Sequence, residues 1–330
     1  MDKTRKITGI IAVLVAVIMV STAGFYFISV SSGSGSAHSG PIKVTDSLNR
    51  TLYFNHTVTR IVSIDPAATA TLYALGAYKD LVGGNAFDSY PPNDTLPDVY
   101  GYYASAPNYQ MLVNLSPQVV LVYGATMPSY GTYINNTLHI PVLVDNPESI
   151  GQIESFTAML GTLTGTGHNA SLINQWINQS IGDLQKSVAS INQSSEYSMF
   201  YYLSSYGGIW TVGQNTFMNQ MFQIAKLRNI INASGYPTIN GEIIINESPQ
   251  VILLDQYVPY SAVAVAPFNE TQAYYSGKII SIFNDNFFEE PDFRVIYAIY
   301  WLISEVYPST FPTLPPFPIA LQYPPTTGFD

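Results

Sequence analysis

A chain of 330 residues that is 47% hydrophobic and 13% aromatic has material for two cored domains, which excludes a disordered polymer. It contains no cysteine, so a disulfide framework, a thiolate metal site, a cysteine nucleophile and a lipid-modified cysteine are all excluded. Beyond the first 40 residues, nine Lys/Arg stand against 21 Asp/Glu, and this net charge of −12 argues against a nucleic-acid partner.

Lys3, Arg5 and Lys6 precede residues 7–30, a stretch without a charge that is long enough to cross ~30 Å of hydrocarbon. The basic flank places the N-terminus in the cytoplasm and the rest of the chain outside the cell. Residues 1–30 read as a retained transmembrane helix, because the apolar run continues through residues 25–30; a cleaved signal peptide, cut near residues 21–24, is the alternative. Residues 31–40, rich in Ser and Gly, then form a flexible tether. Eleven of the 22 asparagines begin an Asn-x-Ser/Thr triplet, where composition alone predicts roughly four. This excess points to a glycosylated protein at the cell surface.

Residues 41–167 read as an N-terminal α/β lobe. An entry hairpin in 41–59 leads to a buried strand at 60–64, a helix at 66–76 and a short strand at 81–84. An insertion rich in Pro, Tyr and Gly occupies 89–110, and strands at 118–123 and 140–144 precede a helix at 148–163. Alternation of this kind predicts a parallel sheet. Residues 168–191 carry Ile173, Ile177, Ile181, Leu184, Val188 and Ile191 at steps of three and four, one buried face on a helix of roughly 36 Å. Residues 192–307 repeat the lobe pattern, with strands at 197–203, 251–254 and 278–283 and helices at 215–227, 241–246 and 291–307. Residues 308–330, with seven prolines, make an extended tail.

An internal repeat ties the halves together. Ser-Pro-Gln-Val begins at Ser116 and again at Ser248, each time followed by an apolar strand, and residues 72–82 echo residues 221–231. The two offsets differ by 17 residues, so the first half carries an insertion. The chain is predicted to be two similar α/β lobes joined by one long backbone helix.

Residues 60–83 resemble the helical-backbone (class III) solute-binding proteins of ABC importers for iron complexes, siderophores and cobalamin. Tyr90-Pro-Pro, Leu96-Pro-Asp, both Ser-Pro-Gln strands, residues 140–144, residues 210–217 and the final Arg294 helix follow in that family's order. The resemblance implies a ligand held in a cleft between the lobes and delivered to an ABC permease and its ATPase. It also implies docking of each lobe on the permease through a glutamate. The second-lobe position is Glu242, and the first-lobe position is Gln110, which has lost the charge.

Loops at the carboxyl ends of strands line such a cleft. They nominate Asp65, Tyr123 and Tyr206, with Tyr102 and Tyr103 from the insertion, Trp210 from a glycine-rich loop and Arg294 where the last cleft loop meets its helix. Glu289, Glu290 and Asp292 lie beside it. Aromatic rings supply flat, rigid contact area, and a tyrosine adds a hydroxyl. No Gly-x-Ser-x-Gly, P-loop or His-Glu-x-x-His motif occurs, so no enzyme is expected. His38, His56, His139 and His168 are scattered, which argues against a histidine metal site. No cofactor of the protein's own is expected, although the ligand may itself contain iron or cobalt. With few cations, a neutral hydroxamate-type iron chelate fits first and a corrinoid next. Haem requires an axial ligand such as Tyr103 or Tyr123. The alternative function is a surface adhesion or structural module that keeps the fold without transport.

Overall fold

The computed structural model describes residues 41–92 and 95–321. The expected anchor at 1–30 and tether at 31–40 lie outside the described residues, as does the end of the tail. Among the described residues, no helix is long and apolar enough to cross a membrane.

The first lobe opens with β1 (Ile42–Thr45) and β2 (Thr51–Phe54), an antiparallel hairpin. Its turn folds around Asp46, whose carboxylate accepts the backbone N–H groups of Leu48 and Arg50 and pairs with the Arg50 guanidinium. Arg50 also donates to the Val142 carbonyl at 2.8 Å, which binds the hairpin to the lobe. Then come β3 (Ile61–Ile64), α1 (Pro66–Ala74), β4 (Leu81–Asn85), β5 (Asp98–Tyr100), α2 (Tyr109–Leu115), β6 (Val119–Tyr123), α3 (Ser129–Asn136) and β7 (Val142–Asp145). The five strands are parallel, in the order β5-β4-β3-β6-β7. Ile61, Val119, Leu121 and Leu143 face one hydrophobic core, whereas Val62, Ile64, Val120, Val122 and Val144 face another. Burial on both faces is why these strands read as unbroken apolar runs.

α4 (Ile150–Thr164) ends on Gly165, whose φ of 78° lies in the left-handed region that favours glycine, and the chain turns into α5 (Gly167–Ser187). α5 is the backbone helix, with Ile173, Trp176, Ile177 and Leu184 buried on one face. It stops four residues before the apolar periodicity does. The Ser187 hydroxyl donates to the Leu184 carbonyl, and two three-residue turns follow, Ala189 N–H to Lys186 and Ile191 N–H to Val188. A step of three suits a tight turn as well as a helix, so apolar spacing alone does not mark the end.

The second lobe contains β8 (Tyr197–Tyr202), β9 (Ile209–Trp210), α6 (Phe217–Ile224), β10 (Leu227–Asn229), β11 (Thr238–Ile239), α7 (Gly241–Glu247), β12 (Val251–Leu254), α8 (Gln272–Ser276), β13 (Ile279–Ser281), α9 (Asp285–Glu289) and α10 (Val295–Val306). Its parallel sheet runs β10-β8-β12-β13, the same order as β4-β3-β6-β7. The repeat therefore encodes four strands per lobe. β5 has no counterpart and lies within the insertion of the first half, so a stretch read as loop contributes an edge strand. Leu227, expected to end a helix, instead starts β10.

The Ser-Pro-Gln motif does the same work twice. Ser116 and Ser248, at φ 46° and 40°, end α2 and α7. The Gln118 Oε1 accepts the N–H groups of Thr59 at 2.8 Å and Arg60 at 3.1 Å, and the Gln250 Oε1 accepts that of Ser198 at 3.0 Å. Each glutamine thus fastens the start of its strand to the first strand of its lobe. The described tail lies against the spine: Trp176 Nε1 donates to the Pro315 carbonyl, and Phe317 packs between Trp176 and Phe293.

Candidate ligand-binding site

In the first sheet the chain runs from β3 to β4 on one side and returns to β6 on the other. Such a reversal opens a crevice at the carboxyl ends of the two strands. Asp65 and Tyr123 stand at those ends. Asp65 is the N-cap of α1, followed by Pro66 at the first helical position, a pairing that fixes the start of a helix. Its Oδ1 accepts the N–H groups of Ala67 at 3.0 Å and Ala68 at 3.3 Å. Its Oδ2 is buried and has no partner.

Beside Asp65 lies a cavity of about 260 Å³. The first lobe supplies most of its wall, through Asp65, Asn85 at the end of β4, Tyr100 at the end of β5, Tyr123 and Tyr130, with Phe87 among them. Glu289, Glu290 and Pro291 of the second lobe close the other side. The cavity therefore lies between the lobes, as expected, and Asp65 and Tyr123 are the two nominated residues that line it. Asn85, Tyr100 and Tyr130 were not anticipated, although Asn85 and Tyr100 follow from the same strand-end rule once β5 is known.

Electrostatically the site is acidic, and its carboxyl groups are shielded from solvent by burial. Burial lifts the Asp65 carboxyl to about 7, against the two N–H groups that favour its ionised form. Burial and then Asp65 itself push Asp145 well above the usual carboxylate range. Across the cleft, burial and then Asp255 raise Glu289 to about 8, and Glu289 accepts the Tyr201 hydroxyl at 3.1 Å. Tyr123 is raised by burial and then by Glu148, Asp65 and Asp145, so its hydroxyl keeps its proton.

Arg294 is corrected as a ligand contact. It is 1% exposed, lies between Asp292 and Glu290, and donates from Nη1 to Ser89 of the first lobe at 3.1 Å. Its donors are spent on a tie between the lobes. Arg50 holds the entry hairpin, and Arg60 donates to the carbonyls of Leu115 and Ser116, so neither supplies a cation to the cleft.

Tyr102, Tyr103, Tyr206 and Trp210 do not line the cavity. Tyr102, Tyr103 and Tyr206 are exposed in loops, Tyr102 packing edge-on to Phe87 at 4.7 Å, whereas Trp210, expected in a loop, ends strand β9 and donates from Nε1 to the Tyr206 carbonyl. Gln110 and Glu242 are each the second residue of a short helix, exposed and equivalently placed in α2 and α7, behind the caps Asn108 and Asn240. Among the described residues, no group of three or more His, Asp or Glu could hold a metal ion.

Two cored lobes with one sheet order, a connecting helix and a cleft at the strand ends agree with what comparison with known proteins gives. Residues 61–271 match the sequence profile described as periplasmic binding protein. The chain belongs to this family. Its members bind solutes and are not enzymes. An ABC transporter substrate-binding lipoprotein of Bacillus subtilis, YvrC, is 24% identical over 282 residues, covering 82% of this chain and 87% of that one. A cobalamin-binding protein of Halobacterium salinarum is 25% identical over 272 residues, covering 79% and 72%. Among solved structures, a possible iron-binding periplasmic solute-binding protein of Staphylococcus epidermidis superposes with a TM-score of 0.66 at 22% identity, covering 76% of this chain and 98% of that one, which shows the fold.

Proposed function

We propose that this chain is a cell-surface receptor that captures a bulky metal complex of low or positive net charge, a corrinoid first and a neutral ferric hydroxamate second, and delivers it to an ABC permease. The observation that carries this reading is a cleft lined by carboxyl groups and aromatic rings whose nearby arginine is already paired. A polyanionic catecholate entering it leaves charges unpaired, and each buried unpaired charge costs several kcal/mol. The cobalamin-binding relative from Halobacterium salinarum supports ranking the corrinoid ahead of the hydroxamate.

Exposed aromatics support a large, flat ligand. Phe87, Tyr102 and Tyr103 follow β4 and β5 in the first lobe, and Tyr206, Tyr257 and Tyr260 follow β8 and β12 in the second, so both strand-end loop sets carry rings. Flat rings of this kind grip a planar ligand at little entropic cost.

The rest of the reading concerns place and partner. The uncharged N-terminal segment anchors the chain, an arrangement suited to a sequence without a lipidatable cysteine. Ten of the asparagines in glycosylation triplets are described and none is buried, which supports glycosylation outside the cell. Glu242 and Gln110 dock on the permease. Calorimetry against a corrinoid, a ferric hydroxamate, a ferric catecholate and haem tests the ligand class. The corrinoid or the hydroxamate should bind tightly; tight binding of the catecholate alone contradicts the proposal.

A further inference from the structure

Resting on the receptor reading, we infer that the free oxygen of Asp65 anchors a nitrogen donor of the ligand in the first-lobe pocket, a primary carboxamide on a corrinoid side arm. Three observations lead there. Capping α1 occupies only Oδ1, and the caps of α2, α4, α6 and α7 are the neutral Asn108, Ser149, Thr216 and Asn240. A charge is therefore not needed for capping, and Oδ2, buried and without a partner beside the cavity, is an acceptor awaiting a donor.

The opposite wall has the same polarity. Glu289 and Glu290 lie on it, and the donors that face them, the Tyr201 hydroxyl, the Arg294 guanidinium and the Ser89 hydroxyl, all come from the protein itself. No Lys or Arg lines the cavity. Above about pH 8, where Asp65 and Glu289 are ionised, a pocket bounded by carboxyl groups complements N–H groups and repels further carboxylates, and a hydrogen bond to an ionised acceptor is about twice as strong as a neutral one.

The cavity, about 260 Å³, has room for an amide arm beside Asp65. The arm enters the pocket while the ring lies against the exposed aromatics of the strand-end loops. Selectivity follows: the pocket distinguishes amidated from acidic corrinoids bearing one ring.

The test compares cobinamide, whose side arms are amides, with cobyrinic acid, whose arms are acids, on the full chain and on Asp65→Asn, at about pH 9, where the cleft carboxyls are ionised. The asparagine keeps the capping oxygen, and Asn and Asp cap helices equally well, so the variant should fold with an unchanged or higher thermal midpoint. The wild-type chain should bind cobinamide at least about 100-fold more tightly than cobyrinic acid. Asp65→Asn should weaken cobinamide about ten- to a hundred-fold and tighten cobyrinic acid, as expected for loss of a charge-assisted bond. Equal binding of the two corrinoids, or a ratio unmoved by the substitution, overturns the anchor and leaves the receptor reading standing. Binding of neither overturns the corrinoid reading and the anchor with it.

Discussion

The two lobes share one sheet order and one strand-fastening glutamine, yet they contribute differently to the cleft. The first lobe supplies nine of the twelve cavity-lining residues, and one of them, Tyr100, ends the strand that the second lobe lacks. The second lobe supplies Glu289, Glu290 and Pro291, with the buried ion cluster of Asp292, Glu290 and Arg294 behind them. Duplication thus gave the scaffold twice, and the insertion added one wall residue, Tyr100, to the first lobe alone. The second lobe acts as a braced lid floor whose arginine reaches across to Ser89.

The largest test of that contrast concerns the two lobes' structural arginines. Arg294→Met removes the guanidinium from two buried carboxylates and should cost about 3–5 kcal/mol in denaturant unfolding. Arg60→Met, on the exposed side of the first lobe, removes only carbonyl contacts and should cost about 0.5–1.5 kcal/mol. Equal costs would show that the second lobe's cluster is not a brace.

Titration sharpens the contrast next. Asp65, at about 7, and Glu289, at about 8, hold protons more tightly when folded than in an unfolded chain, where carboxyls titrate near 4. The folded state therefore binds extra protons between about pH 4 and 8, and stability should fall as pH rises through that window. Asp65→Asn should flatten the curve up to about pH 7 and Glu289→Gln up to about pH 8. A thermal-midpoint profile that neither substitution flattens would mean that the cleft is not as dry as its burial implies.

The smallest expected effect is at the permease. In the proposed docking Glu242 is the charge-assisted contact and Gln110 the neutral one, so Glu242→Ala should weaken coupling about ten-fold or more and Gln110→Ala only a few-fold. A reconstituted transport assay reads the ratio, and equal losses would remove the asymmetry between the lobes at that surface.

Much of this was legible in the residues, and the failures have physical causes. Strands buried on both faces show as unbroken Val, Ile and Leu runs, so residues 61–64, 119–123 and 251–254 announce themselves. β5 and β10 are edge strands of three residues each, Asp-Val-Tyr and Leu-Arg-Asn, too short and too polar for any periodicity. Missing β5 hid Tyr100. Asp65 and Tyr123 were found because a strand end is a position, readable from sequence; Arg294 was misassigned because its partners Asp292 and Glu290 are sequence neighbours whose side chains fold back on it. Tyr102, Tyr103 and Tyr206 are in strand-end loops, but with 25 tyrosines in the chain composition does not tell a cavity wall from a rim.

The central claim is that the cleft binds its ligand and releases it unaltered. Native mass spectrometry of the full chain after incubation with cobinamide, followed by release and analysis of the corrinoid, tests it most directly. The account predicts one corrinoid per chain, recovered with its mass unchanged; a chemically altered corrinoid, or a chain that stays unliganded while taking up a ferric catecholate, would contradict it.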